Sequence, residues 1–510
     1  MTGRTDPLDR RLGGHPLGLY LVAFTEMWER FSYWGFAGIL VLFLTTAPSD
    51  GGWGWQDSDA LRLYGWYGGL AFVVPVVGAW LANNVLGERR CIFWGALAIT
   101  LGHASIAVLW LGPAVLRLAT GYDPGAVLVE ADVVLGLPFP GEGVTGAIAD
   151  WLAAHAAGGA PLHLVMTAYR VKAWAFLLGL LLIIAGTGLL KPAISSIVAA
   201  LYPAGGARRD EGFAYFFVGI YIGALLGALV TGLLGERLGW HYGLTAAGIG
   251  MALGLLGWLL KQKAWLGDIG TSPLRRHRTD RLPLSRIERR RLLVILVQGV
   301  FTVLYAAGFY QMFGLLNLYA HDELDRRIGG FEIPTTWMQT ISLWSFFVCI
   351  PALAWLWRRL AVFRRNPSAS YKLAMGIGAL AIGYAVIAVG ESTRGSGKVD
   401  LLWLVTTYLL FGLGDSLVWP SQISLTSKLA PARYAAMAVG SWYIWIGLGT
   451  WLTGYIGALA TGFAFHDVFV ALAAACAGLA VLLALLTPAL QGLMHGREDP
   501  GASAVEERAA

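Results

Sequence analysis

The chain has 510 residues, of which 57% are hydrophobic and only 13% charged, with a mean hydropathy of +0.62. A soluble globular domain carries about a quarter charged residues and under half apolar ones, so that class is excluded. The net charge of +6 gathers in loops rather than in a continuous basic surface, and no nucleic-acid partner is expected.

The leader 1–16 is polar and basic, and the apolar run behind it is long enough to remain as a first membrane helix rather than a cleaved signal. Runs of about 20 apolar residues predict twelve helices. They fall at 17–46, 60–86, 91–112, 172–199, 212–235, 240–261, 292–320, 335–358, 371–391, 401–427, 435–461 and 465–488. Abundant Trp (22) and Gly (67) suit interfacial anchors and close helix contact.

Loop charge sets the expected orientation. Residues 261–291 hold ten Lys/Arg against three acids, and "WRRLAVFRRN" (357–366) and "GERR" (87–90) are basic loops on the same side by parity. The 113–169 connection has Asp123, Glu130, Asp132, Glu142 and Asp150 with Arg117 its only Lys/Arg. Both termini are therefore expected in the cytoplasm of an inner (plasma) membrane protein, with 113–169 outside and a weakly amphipathic helix at 144–157. The expected domains are a terminus 1–16, a six-helix bundle 17–261, a basic linker 262–291, a second bundle 292–488 and a tail 489–510. Cys91, Cys349 and Cys476 all fall in spans, and their spacing suits neither a disulfide framework nor a metal site.

"TEMWERFSYWG" (25–35) puts charges inside the first span. Glu26, Glu29, Arg30 and Tyr33 follow i, i+3, i+4, i+7 spacing and share a stripe, while Trp28 points elsewhere. A charge facing lipid costs several kcal/mol, so the stripe must face protein or water. A structural ion pair explains one Glu and one Arg but leaves the second Glu over. Lys191, in "AGTGLLKPAISS", brings the sum to zero, and protonation of one Glu then leaves the set positive and releases Lys191 toward an anion. Asp415, in "LLFGLGDSLVWPSQISLTSKLAP", is the acid of the second half; either Ser416 and backbone amides hold it, or it meets a substrate cation. Lys191 and Asp415 together suit a zwitterion. No GxSxG, HExxH or paired intramembrane aspartates occur, so an enzyme is not expected.

"GAWLANNVLGERR" resembles the loop signature between helices two and three of the major facilitator superfamily, with Asn83 at the usual Asp; an ordinary basic loop is the plainer alternative. Beyond it, "EMWERFSYWG" resembles the ExxER[FY]xYYG motif of the proton-dependent oligopeptide transporter (POT) family. "GTGLLKPAIS" is similar to its GxGxxKPxxS segment, and "GDSLVWPSQISLTSKLAPARYAAMAVGSW" to its GExxxSPxGLxxxxKLAP…GxW pattern. "FAYFFVGIYIGALLG", "LGWHYGLTAAGIGM" and "IPTTWMQTIS" extend the likeness over the chain outside 113–169.

The resemblance implies an all-α membrane protein of the major facilitator fold, twelve transmembrane helices in two six-helix bundles. It implies a proton-coupled symporter of di- and tripeptides or peptide-like compounds by alternating access, without a cofactor other than the proton, and a monomer. An exporter or importer of a non-peptide drug or metabolite is the alternative. Proton coupling is then expected of Glu26, Glu29, Arg30 and Lys191, with Asp322 as a further acceptor or a solvated loop charge. Substrate contacts are expected of Tyr33, Trp34, Lys191 and Tyr221, and of Tyr310, Gln311, Asp415 and Trp442. The pattern departs from the family at Ala37, where members often carry Arg, at Gly65, where animal members carry His, and at Tyr221, Tyr310 and Ser342, in place of Asn, Glu and Asn. The coupling residues are kept while those facing the ligand are rewritten.

Overall fold

The computed structural model describes residues 11–47, 50–107, 162–202, 207–273, 284–363, 365–431 and 434–495. Most of the 113–169 segment, the expected helix at 144–157, the middle of the linker and the end of the tail lie outside them. Twelve helical spans occur in the described residues: α1 (Leu17–Thr45), α2 (Asp57–Leu86), α3 (Glu88–Ala107), α4 (Leu162–Ala200), α5 (Ala207–Leu238), α6 (Trp240–Leu266), α7 (Arg286–Asp322), α8 (Trp337–Val362), α9 (Ala369–Thr393), α10 (Leu401–Leu429), α11 (Ala435–Ala460) and α12 (Phe465–Met494). Ten are long and apolar enough to cross a membrane; α1, with its three charges, and α11, rich in Gly, Trp and Tyr, are of comparable length. Several helices outrun the apolar windows, α4 by ten residues at its start, because a helix continues past the bilayer wherever its backbone bonds can close.

The chain forms two compact units, Met1–Tyr67 with Val74–Arg275, and Gly68–Val73 with Arg276–Ala510. In the first, α1 packs on α5 and α6, α3 on α4 and α6, and the far half of α2 on α4. Close approach requires small residues. A Cβ on Gly227 of α5 would strike the Phe31 carbonyl of α1, and Thr231 one turn on donates to the Gly35 carbonyl at 2.9 Å. Pro75 breaks α2, which resumes as Pro75–Leu81 and ends in a π turn, Ala82–Leu86. Gly87 then turns the chain with φ +80°. Arg89 follows, its Nη1 donating to the Gly267 carbonyl past the end of α6, so this arginine caps a helix C-terminus.

In the second unit α9 packs on α10 and α12, α8 on α10, and α7 on α11 and α12. A capping box formed by Ser285 and Glu288 starts α7. The sequence predicts α7 as continuous, but its α-helix stops at Phe309, a 3₁₀ turn covers Tyr310–Phe313 and helix resumes at Leu315–Asp322. Gly314, φ −112° and ψ −105°, occupies the joint. Thr453 of α11 steadies the break: its hydroxyl donates to the Ala307 carbonyl at 3.1 Å while its own carbonyl accepts from Gln311 at 3.1 Å.

Short strands join the helix ends: β1 (Arg11–Leu12) with β2 (His15–Pro16), antiparallel; β3 (Leu324–Asp325) with β6 (Val399–Asp400), parallel; and β4 (Arg327–Ile328) with β5 (Phe331–Glu332), antiparallel. Gly329 and Gly330, both at positive φ, make the two-residue turn that such a hairpin needs. Beside β3, Arg394 pairs with Glu323 and lies 3.2 Å from Glu391, which accepts from Tyr319 at 2.7 Å. This network ties the far end of α7 to α9.

The contrast between two glycines tests the packing. Gly227→Leu forces α1 from α5 and is expected to destabilise the detergent-solubilised protein by about 1–3 kcal/mol or more. Gly478→Ala, where a Cβ meets nothing within 4 Å, should leave thermal unfolding unchanged or raise it by up to about 1 kcal/mol.

Candidate functional site

Each unit carries its own polar cluster. In the first unit Glu26, Glu29 and Arg30 of α1 are all buried, at 2%, 1% and 5% exposure. The i, i+4 spacing brings Glu26 Oε1 within 3.3 Å of Arg30 Nε, while Nε also donates to Glu29 Oε2, which Nη2 contacts as well. One guanidinium therefore serves two carboxylates on its own helix. Glu26 Oε2 and Glu29 Oε1 have no hydrogen-bond partner among the described residues.

The second cation comes from α4. Lys191 Nζ stands 5.4 Å from the centroid of the Tyr33 ring, and the Arg30 guanidinium stands 5.1 Å from the same ring. The structure thus brings together Glu26, Glu29, Arg30, Tyr33 and Lys191, as the helical spacing and the charge count suggested. Pro192 follows the lysine inside α4; lacking an N–H, it leaves the carbonyl one turn earlier without its helical donor. Trp28 turns away toward Phe31 and α6. Trp34 on α1 and Tyr221 on α5 are half-buried.

A histidine that the motifs did not single out lies against the same helix. His103 of α3 is 1% exposed; its Nε2 is 2.7 Å from Ser32 Oγ, and its Nδ1 has no partner among the described residues. Phe36 packs edge-on to the ring at 5.3 Å. The departure at Gly65 removed an imidazole from α2, yet one is present on α3. The signal was the one ionisable side chain in the run "ITLGHASIAVL", which is where an intramembrane contact is expected.

In the second unit Asp415 of α10 is half-buried. Its Oδ1 accepts from the Tyr305 hydroxyl of α7 at 3.4 Å, and Trp419 lies one turn along α10. The alternative in which Ser416 holds Asp415 is corrected: Ser416 Oγ donates to the Gly412 carbonyl at 2.8 Å, the usual recourse of a serine inside a helix. Trp442 of α11 is buried and meets Trp419 edge-on at 5.5 Å. Tyr310 is buried and stacked near Phe313. Gln311, fully buried, spends its amide N–H on the Thr453 carbonyl. Asp322 stands apart from Asp415 at the far end of α7, its side chain half exposed and 2.8 Å from His321 Nδ1.

Comparison with known proteins places the chain among transporters. The model of the POT family matches residues 89–266 and 284–471. The peptide transporter YePEPT of Yersinia enterocolitica is 28% identical, the match covering 89% of this chain and 90% of that one. The uncharacterised transporter YclF of Bacillus subtilis is 27% identical over 84% of this chain and 85% of its own. A crystal structure of a peptide transporter, POT, in complex with sulfate superposes with a TM-score of 0.78 at 25% identity, covering 96% of this chain and 99% of that one.

The double pairing of Arg30 makes a direct prediction. Arg30→Met leaves two buried carboxylates without their common cation and should destabilise the protein by about 3–5 kcal/mol. Adding Glu29→Gln should recover more than half of that loss in a double-mutant cycle read by thermal unfolding.

Proposed function

The chain belongs to the POT family, and we propose on that footing that it is a proton-coupled symporter that imports di- and tripeptides or peptide-like compounds by alternating access. The observation that carries the reading is the surplus carboxylate on α1. Arg30 neutralises one of its two acids, and the remaining negative charge is matched within the membrane span by Lys191 across the Tyr33 ring. Such a set holds together while Lys191 is engaged and becomes cationic when a proton joins it.

Glu26 is the proton's station on this reading. Glu29 makes two contacts to Arg30 whereas Glu26 makes one at 3.3 Å, so less attraction is lost when Glu26 becomes neutral. Protonation then frees Lys191 to receive the carboxylate of the substrate, and its return to the cytoplasmic side with the proton restores the starting pairing. Asp415, bonded by the neutral Tyr305 hydroxyl, receives the amino end. Tyr33, Trp34 and Tyr221 of the first unit, and Tyr310 and Trp442 of the second, are further substrate contacts on this reading. Gln311, fixed to α11, holds the break in α7, a joint suited to the rocking that alternating access requires. Asp322, exposed and paired with His321, serves best as a solvated charge.

The protein acts, on this proposal, as a monomer in the inner membrane with both termini in the cytoplasm, drawing on the proton gradient without another cofactor.

Uptake into proteoliposomes should rise with acid outside and collapse with an uncoupler. Glu26→Gln is expected to keep counterflow of a labelled dipeptide yet lose accumulation; a variant that still concentrates substrate like the parent refutes the coupling scheme. Lys191→Ala should weaken a dipeptide's thermal stabilisation of the purified protein by at least about tenfold in concentration, as loss of a buried charged contact does.

A further inference from the structure

We propose that Trp419 turns the Asp415 corner of the second unit into a subsite for N-alkylated ammonium groups, so that the transporter accepts peptides methylated at their amino end. The inference rests on the reading above, in which Asp415 meets the amino terminus, and adds a selectivity to it.

Aromatic rings from three helices gather in the Asp415 corner, Tyr305 touching the carboxylate and the others packing on one another. Trp419 lies at i+4 from Asp415, on the same face of α10. Tyr305 donates to Oδ1 at 3.4 Å, with Phe309 stacked on it at 5.8 Å. Trp442 closes the other side of Trp419 at 66°. Tyr305 and Trp442 are buried whereas Asp415 and Trp419 keep part of their surface open, so the accessible face of the corner is a carboxylate beside an indole. No ion pair to Asp415 occurs among the described residues, and the charge lacks a resident cation.

The chemistry of the open face selects between kinds of ammonium. A carboxylate has about four lone-pair directions, spread over two oxygens, and a tetrahedral ammonium cannot aim all three of its N–H bonds at them; here the Tyr305 hydroxyl already draws on one. A primary ammonium brings three N–H donors and strands at least one against aromatic carbon, at the cost of its lost water. A dimethylammonium brings one N–H for the carboxylate and two methyl groups for the rings, where a cation is attracted to the π face and the methyls are removed from water. The indole N–H of Trp442 is also buried without a partner among the described residues, a spare donor for a carbonyl one bond removed from the amino carbon. A side chain as small as the Ser that the family pattern has in place of Trp419 offers no such wall.

The test measures binding of alanylphenylalanine and its N-methyl and N,N-dimethyl forms to the purified full chain by calorimetry. The parent protein should bind the dimethyl form within about threefold of the unmethylated peptide, or more tightly. Trp419→Ser should lower the affinity for the dimethyl form by about tenfold relative to the unmethylated peptide, and Trp419→Phe, which keeps a ring, should not. The inference is overturned if the parent binds the unmethylated peptide but rejects both methylated forms, or if Trp419→Ser leaves their ratio unchanged. If no peptide binds at all, the peptide reading fails instead. The corner is then decided by phenethylamine and N,N-dimethylphenethylamine: preference for the dimethyl amine, lost in Asp415→Asn and in Trp419→Ser, supports it, and no preference overturns it.

Discussion

A guanidinium shared by two carboxylates within a membrane span governs what the rest of the first unit can do. Glu26, Glu29 and Arg30 belong to one helix, so their mutual geometry survives any motion of α1 as a body, and only the fourth charge, Lys191, arrives from elsewhere. The pairing within α1 is fixed by its helix, whereas Lys191 reaches the Tyr33 ring from α4. On the proposed reading, a charge set divided that way keeps its internal structure and changes its net charge with a single proton. Tyr33 sits where the two cations share a ring, and Tyr67 stacks behind it, so the arrangement is shaped by aromatic faces as much as by opposite charge.

That permanence demands a rigid setting for α1, and the packing supplies one. Small residues on α5 let its backbone come within contact of α1, with Thr231 bonding a carbonyl on each helix. His103 fastens α1 to α3 through Ser32. Apolar packing between helices in lipid has no hydrophobic drive, so close contact and buried hydrogen bonds must hold the register. The second unit is built with the opposite bias around α7: its helix is interrupted, its joint carries a glycine in an unusual conformation, and its far end is braced to α9 through Arg394, Glu323 and Glu391. The break itself is held to α11 by Thr453 and Gln311.

The legible parts of the site were those whose geometry is local. Glu26 and Arg30 lie on one helix at a spacing that fixes their distance, so the pair could be drawn from the string of letters alone. Lys191 was reachable by charge balance, because a surplus acid in a span needs a cation. His103 was overlooked since its partner is a serine on another helix and no local pattern marks the pair. Asp415 was recognised, but Ser416, its neighbour in sequence, turns into its own helix backbone, and the group that reaches the carboxylate from another helix is Tyr305, over a hundred positions earlier. The break in α7 was hidden for a similar reason: "YQMFGLLN" contains a glycine but no proline, and membrane helices tolerate glycine in most places.

Read by itself, the sequence determined the membrane class, the number of spans, the approximate place of each and the charges that a bilayer would not tolerate unpaired. These follow from composition and helical period, which act over at most a few turns of chain. The tertiary structure alone decided which hydroxyl meets which carboxylate, which ring lies under which cation and where a span gives way to a 3₁₀ turn. Those contacts join helices hundreds of residues apart, and their distances depend on how closely backbones pack, a property that a linear pattern of apolar and polar residues does not encode.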